Sequence, residues 1–387
     1  MLKIKNGRVI TPSGIRAVNV YVEKGVISAL TNEELPFAEE IDANGSYVSP
    51  GFIDTHVHGG MGFDFNEADE NGIFKAATAH LKHGTTTLLP TVCSRPMTAI
   101  PEIAGEVKRA AARDMMPHIP GLHLEGPYLN ASQSGGISPK YLKAPEKEEY
   151  VPIFEKCGDF IKKVTFAPEL DGAEELFLFL KKSNIIASAG HTDATIDEIA
   201  RFRDMGLDMV THLYSSMASI TRNQGYRVLG TVEAAYYFED IYAEVIADGI
   251  HLPPRLLELI YRFKGADRIC LITDAIRAAL LEVNENNRAE IEQNFGMIIE
   301  DGIAKMPHRQ CFAGSLATAD RLIRTMRPIA GLENSVKMLT EIPATAHSIK
   351  GKGMLSEGYD ADIVIFDEDI NIEKIIIKNN NCVKIYN

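Results

Sequence analysis

The 387-residue chain has no apolar run approaching the roughly 20 residues that span a bilayer, so no membrane partner is predicted. Residues 1–10 alternate polar and apolar and lack the apolar core of a secretion signal. A cytoplasmic protein is therefore expected. Positive charge is also scarce, with 40 Lys and Arg against 53 Asp and Glu and a formal net charge of −13. Phosphate backbones demand a basic face, which excludes nucleic acid as a bulk partner. A small phosphorylated molecule stays open, because about two or three local cations can hold one. The five cysteines (Cys93, Cys157, Cys270, Cys311, Cys382) are scattered and form no CxxC pair. That pattern fits reduced thiols in a cytosolic protein.

What is present has a clear order. Residues 1–10, 17–22 and 26–30 read as short strands separated by turn residues such as Asn6-Gly7 and Lys24-Gly25. Near the other end, 362–366, 372–377 and 382–386 read the same way. The economical expectation is one small β-sandwich domain built from both termini, 1–49 plus 348–387. A large domain, 50–347, is then inserted between them.

The inserted part alternates apolar runs with helix-like stretches. Eight runs stand out: 51–55, 85–92, 119–124, 164–167, 185–189, 209–211, 242–247 and 269–273. Helical candidates lie between most of them, at 71–82, 97–113, 174–182, 195–205 and 255–264. Alternating strand and helix implies parallel strands with right-handed crossovers, and eight units suit a closed (β/α)8 TIM-type barrel. An open doubly wound sheet is the alternative. It is weakened because no GxGxxG or GxxxxGK loop follows the first strand.

Polar residues fall at the ends of these runs. The first leads into His56 and His58, the third into Glu125, the fifth into His191 and the sixth into His212. The seventh runs toward His251 and the eighth ends at Asp274. Barrel active sites lie at the C-terminal ends of the strands, so this spacing gathers all seven on one face. Residues i and i+2 of a strand point the same way, so His56 and His58 can share one ion. Imidazoles with a carboxylate suit Zn, Fe, Mn or Co better than Ca or Mg. An ion with an open position activates water and polarises a carbonyl, and a nearby carboxylate can shuttle the proton. Asp274 is the best candidate for that shuttle. The competing role for it is a helix N-cap.

These residues sit in longer matching stretches. They include Pro50-Gly51-Phe52-Ile53-Asp54-Thr55-His56-Val57-His58, His123-Leu124-Glu125-Gly126-Pro127, Ala189-Gly190-His191-Thr192-Asp193-Ala194, Ile246-Ala247-Asp248-Gly249-Ile250-His251 and Phe312-Ala313-Gly314-Ser315. In order and spacing, over nearly the whole chain, the sequence resembles the N-acetylglucosamine-6-phosphate deacetylases of the amidohydrolase superfamily. The resemblance implies hydrolysis of the acetamide of an N-acetyl amino-sugar 6-phosphate. It implies that Glu125, His191 and His212 hold the principal divalent ion, zinc first among the choices. His56 and His58 would help form a second ion position, giving one or two ions. Asp274 would be the general acid–base, and His251 would contact the substrate and polarise the amide carbonyl. Ser215, Ser216 and the backbone at Ala313 would line the sugar pocket. A homodimer is implied, with a basic residue from the neighbouring subunit on the substrate phosphate.

The chain also departs from the family pattern. Where the family usually carries a run ending in His or Gln, it reads Gln133-Ser134-Gly135-Gly136-Ile137, and Ile137 offers no side-chain hydrogen bond. The usual Asn-Ala-Met reads Ser215-Ser216-Met217. The phosphate-binding arginine has two candidates, Arg222 and Arg227. A different N-acyl sugar, such as N-acetylgalactosamine 6-phosphate, or a small amide is the alternative substrate.

Overall fold

A computed structural model describes residues 1–386. Eight parallel strands form one sheet in sequential order: β1 Phe52–Val57, β2 Thr85–Val92, β3 Leu122–Glu125, β4 Ile161–Phe166, β5 Ile186–Ala189, β6 Met209–Val210, β7 Tyr242–Ile246 and β8 Ile269–Ile272. The sheet closes on itself just past β8. There Ala275 pairs in parallel with Val57, and the Asp274 amide donates to the His56 carbonyl at 2.9 Å. The strands are buried on both faces, and this is why they read as apolar runs rather than alternating ones.

Helices follow the strands: α1 Glu70–Leu81, α2 Ile100–Ala111, α3 Lys147–Cys157, α4 Ala173–Lys182, α5 Ile196–Met205, α6 Thr231–Tyr237 and α7 Pro254–Lys264. Local chemistry sets their starts. The Asp69 side chain accepts from Gly72 N at the head of α1. Thr195 and Glu198 form a reciprocal capping box on α5, and Gly206 (φ 108°) ends it. The five helices expected from periodicity are present, each shifted by a few residues at most. Helix α3 has no counterpart among them, because Pro152 interrupts an otherwise helical pattern.

Beyond β8 the chain makes an excursion before its last helices. It holds a short helix, α8 (Arg288–Phe295), and a hairpin, Ile298–Glu300 with Ile303–Lys305. Ile276, Ala278, Ile299 and Ala304 give this segment a small core of its own. The helices α9 (Ala319–Ala330), α10 (Leu332–Lys337) and α11 (Glu341–Ala346) then complete the outer ring.

Two further sheets lie outside the barrel, and both termini meet in one of them. One has four strands, all from residues 2–42; the other has six, with Gly14–Arg16, Arg8–Thr11 and Tyr47–Pro50 side by side with Ile363–Phe366, Ile372–Asn379 and Cys382–Tyr386. Alternation along its strands explains its place. Val9, Val48, Ile363, Ile365 and Ile376 pack against Leu2, Ile4, Val20 and Val22 of the four-stranded sheet. Their neighbours Ile10, Tyr47, Val364, Phe366 and Ile375 belong to the barrel's core. The six-stranded sheet thus bridges sandwich and barrel.

Candidate metal and active site

The strand ends bring six side chains into one buried cluster. His56 and His58 come from the end of β1, Glu125 from the end of β3, His191 and His212 from just past β5 and β6, and Asp274 from just past β8. Three of these residues leave their strands in the left-handed region, at φ 49° (His191), 29° (His212) and 50° (Asp274). Such backbone costs of order 1–3 kcal/mol per residue and persists where surrounding structure imposes it.

Glu125 lies at the centre. Its Oε1 is 3.0 Å from His191 Nε2, 2.9 Å from His212 Nε2 and 3.4 Å from His56 Nε2. Its Oε2 is 3.3 Å from His58 Nε2. Asp274 Oδ1 reaches His58 Nε2 at 3.1 Å and His56 Nε2 at 3.5 Å. Two ligand groups result, His56–His58–Glu125 and Glu125–His191–His212, each with its donor atoms within 4.8 Å of one another. Glu125 is common to both.

The hydrogen bonds behind the rings test whether these residues fit a cation. His191 Nδ1 lies 2.7 Å from the Gln133 carbonyl, which can only accept. The proton therefore sits on Nδ1, and the Nε2 lone pair faces the cluster. That nitrogen lies 3.1 Å from His212 Nε2. His56 Nδ1 faces Glu244 Oε2 at 3.3 Å, and its buried Nε2 has no hydrogen-bond partner among the described residues. Converging lone pairs, oriented from behind by a carbonyl and a carboxylate, are what a transition-metal ion requires. The donor set suits Zn, Fe, Mn or Co.

Charge follows the same layout. Burial opposes charge on His56, yet Glu125, Glu244 and Asp274 outweigh it and raise its pKa to about 9, so a cation binding at Nε2 would displace a proton there. Burial also opposes ionisation of Glu125, but the surrounding histidines hold its carboxyl well below the usual range. His58 and His56 do the same for Asp274 against its own burial. Both shifts favour the ionised form of these two carboxyls.

Beneath the cluster, Glu244 on β7 bonds the fully buried Lys163 on β4 and accepts from Thr55 Oγ1 at 3.3 Å. Beside it, His58 Nδ1 lies 3.8 Å from Cys93 Sγ. Past β7, Asp248 Oδ2 lies 2.7 Å from His251 Nδ1, while its Oδ1 accepts the amides of Ile250 and His251 at 2.8 Å. The sequence reading missed these supports. Glu244 was visible only as a lone charge within an apolar strand, and Asp248 as a carboxylate three residues before His251.

A cavity of about 1020 Å³ opens over the cluster. Ser215, Ser216, His251 and Ala313 line it, as do Gly135, Gly136 and Ile137. Arg222 and Arg227 do not. They lie on an exposed hairpin, Thr221–Asn223 with Tyr226–Val228, outside this chain's own pocket.

A closed barrel with a buried His/Glu cluster at its strand ends is the layout of the amidohydrolases. The chain belongs to the amidohydrolase family, whose model matches residues 47–385. Within it, the chain groups with the N-acetylglucosamine-6-phosphate deacetylases. It is 32% identical to the enzyme of that name from Lysinibacillus sphaericus over 384 residues, 97% of this chain and 96% of that one. An N-acetylgalactosamine-6-phosphate deacetylase from Shewanella sp. (strain ANA-3) is 30% identical over 323 residues, 82% of this chain and 79% of its own. Among solved structures, a mutant N-acetyl-D-glucosamine-6-phosphate deacetylase from Mycobacterium smegmatis, in complex with N-acetyl-D-glucosamine-6-phosphate, superimposes with a TM-score of 0.86. Its identity is 25%, with 97% of this chain and 98% of that chain covered.

Proposed function

We propose that the protein hydrolyses the acetamide of N-acetylglucosamine 6-phosphate to glucosamine 6-phosphate and acetate. The observation that carries this reading is the Glu125–His191–His212 cluster, with an ionised Asp274 beside it, under a sugar-sized cavity. Glu125, His191 and His212 hold the principal divalent ion, zinc in the first instance, and His56 with His58 form a second position. When bound, the ion supplies an activated water and polarises the amide carbonyl. Asp274 Oδ takes the water proton and delivers it to the amine nitrogen as the C–N bond breaks. Asp248 keeps the proton on His251 Nδ1 and aligns the ring toward the acetyl group. Ser215, Ser216 and the Ala313 backbone hold the sugar.

Catalysis belongs to the unit 50–347, and the unit formed by 1–49 and 348–387 braces it. The protein works as a homodimer. Ile220, Tyr226, Leu229 and Tyr237 are exposed apolar residues around the 221–228 hairpin, and an interface there would cover them. Five free cysteines suit the cytoplasm, and among the described residues no helix is long and apolar enough to cross a membrane.

Ile137 favours a second reading, in which the substrate is the galactosamine epimer. It lines the cavity and cannot hydrogen-bond a sugar hydroxyl. Acetate release from both epimeric 6-phosphates and from unphosphorylated N-acetylglucosamine, run in parallel with metal-loaded protein, decides between them. Preference for the glucosamine epimer supports the first reading, and preference for the galactosamine epimer replaces it with the second. Activity on none of the three overturns both.

A further inference from the structure

We propose that Arg95 is a specificity-determining residue that anchors the substrate's phosphate from within the same chain. The inference rests on the function proposed above and adds to it a cation supplied in cis. Four cations line the cavity: Arg95, Arg277, Lys305 and Arg309. Three are already engaged. Arg277 bonds Asp64 at 2.9 Å and Glu67 at 3.3 Å. Lys305 bonds Glu300 at 3.0 Å and Asp301 at 2.9 Å, and Arg309 bonds Glu300 at 3.1 Å. A phosphate at any of these would compete with a carboxylate.

Arg95 differs. It makes no hydrogen bond among the described residues, and its Nε is buried without a partner. Its one ionic neighbour is Glu67 at 3.8 Å, beyond hydrogen-bond reach, and that carboxylate is largely exposed. The side chain lines the cavity and is about a third exposed, so a phosphate there would meet this guanidinium without displacing a hydrogen-bonded carboxylate. The planar fork matches two phosphate oxygens at once.

Its placement supports the role. Arg95 follows β2 by three residues, and Cys93 of the same turn touches the back of His58. Ser94, at φ 51°, redirects the chain, and its Oγ accepts from the Ser138 amide at 3.0 Å. That bond ties the Arg95 turn to the 135–137 loop in the pocket wall. The turn that carries the arginine is thus held between the ion cluster and the loop where the family's substrate-contacting side chain is replaced by Ile137.

The test is calorimetric binding of glucosamine 6-phosphate, glucosamine and inorganic phosphate to metal-loaded wild type, Arg95→Gln and Arg95→Lys. The expected result for Arg95→Gln is a roughly 10- to 100-fold loss of affinity for the two phosphate-bearing ligands, with glucosamine unchanged. Arg95→Lys should recover part of the loss. In turnover, Arg95→Gln should raise KM for the phosphorylated substrate and leave kcat nearly intact. Undiminished phosphate affinity in Arg95→Gln overturns the proposal, and so does equal weakening of glucosamine. Wild-type protein that binds neither phosphate-bearing ligand overturns it too. Because binding is read without turnover, a failure of the deacetylase reading would show separately, as absent acetate release from a protein that still binds phosphate through Arg95.

Discussion

Glu244 offers a sharp test of how the barrel interior supports the ion cluster. It is fully buried, bonds the equally buried Lys163, and faces His56 Nδ1 at 3.3 Å. Glu244→Gln keeps the shape and removes the charge, leaving Lys163 uncompensated. Breaking one side of a buried pair costs about 3–5 kcal/mol. Unfolding entropy near ~2.1 cal/mol/K per residue gives the 387-residue chain about 0.8 kcal/mol/K, so Tm should fall by roughly 4–6 °C. The ion nearest His56 should also bind about 10- to 100-fold more weakly, because the ring loses its orienting carboxylate. Adding Lys163→Met to the first change removes the stranded charge. It should restore most of the Tm while leaving ion affinity low. Thermal unfolding by circular dichroism and competition with a metal chelator read the two effects separately. A single variant with Tm within 1 °C of wild type and unaltered ion affinity would refute the reasoning.

Other expectations are more direct. Glu125→Gln should lower bound metal measured by atomic emission, since Glu125 is common to both ligand groups; unchanged content would remove it from the ligand set. Asp248→Asn should reduce kcat/KM by about 10- to 100-fold without loss of metal, and wild-type kinetics would show that His251 needs no orienting carboxylate. Stability should fall as pH drops from about 6.5 toward 4, because burial lowers the pKa of His80, His118 and His347 to about 4 in the folded state. The unfolded chain binds more protons in that window, so the stability these residues give is complete above 6.5 and lost through 4. Near pH 5.3 the three histidines take up close to three protons on unfolding, while Asp54, raised by burial to about 6, releases close to one. These groups together should therefore give a net uptake of about two protons, and a Tm that rises on acidification across this range would contradict the assignment.

The buried cluster was legible because two simple periodicities carry it. His56 and His58 share a face by the two-residue repeat of a strand. Glu125, His191, His212 and Asp274 each follow an apolar run whose end defines the functional face of a barrel. Lys163 and Glu244 were not legible, because 81 residues separate them and only the closed barrel joins them. Arg222 and Arg227 carry the right chemistry, but no pattern in a polar hairpin tells which way it points, and here neither lines this chain's own cavity. Arg95 was hidden for another reason. Its significance lies in lacking a hydrogen-bonded carboxylate, and that is a property of the packed structure rather than of the sequence. Helix α3 was obscured by Pro152, and the excursion after β8 by having too small a core to impose a clear period.

The most direct test of the account is acetate formation from N-acetylglucosamine 6-phosphate in ¹⁸O-labelled water, by metal-loaded wild type and by Asp274→Asn with its metal content verified. The account predicts acetate carrying one solvent oxygen from the wild type and essentially none from the variant, whose metal should be retained. A fully metal-loaded wild type that forms no acetate, or an Asp274→Asn variant that forms it at a comparable rate, would contradict it.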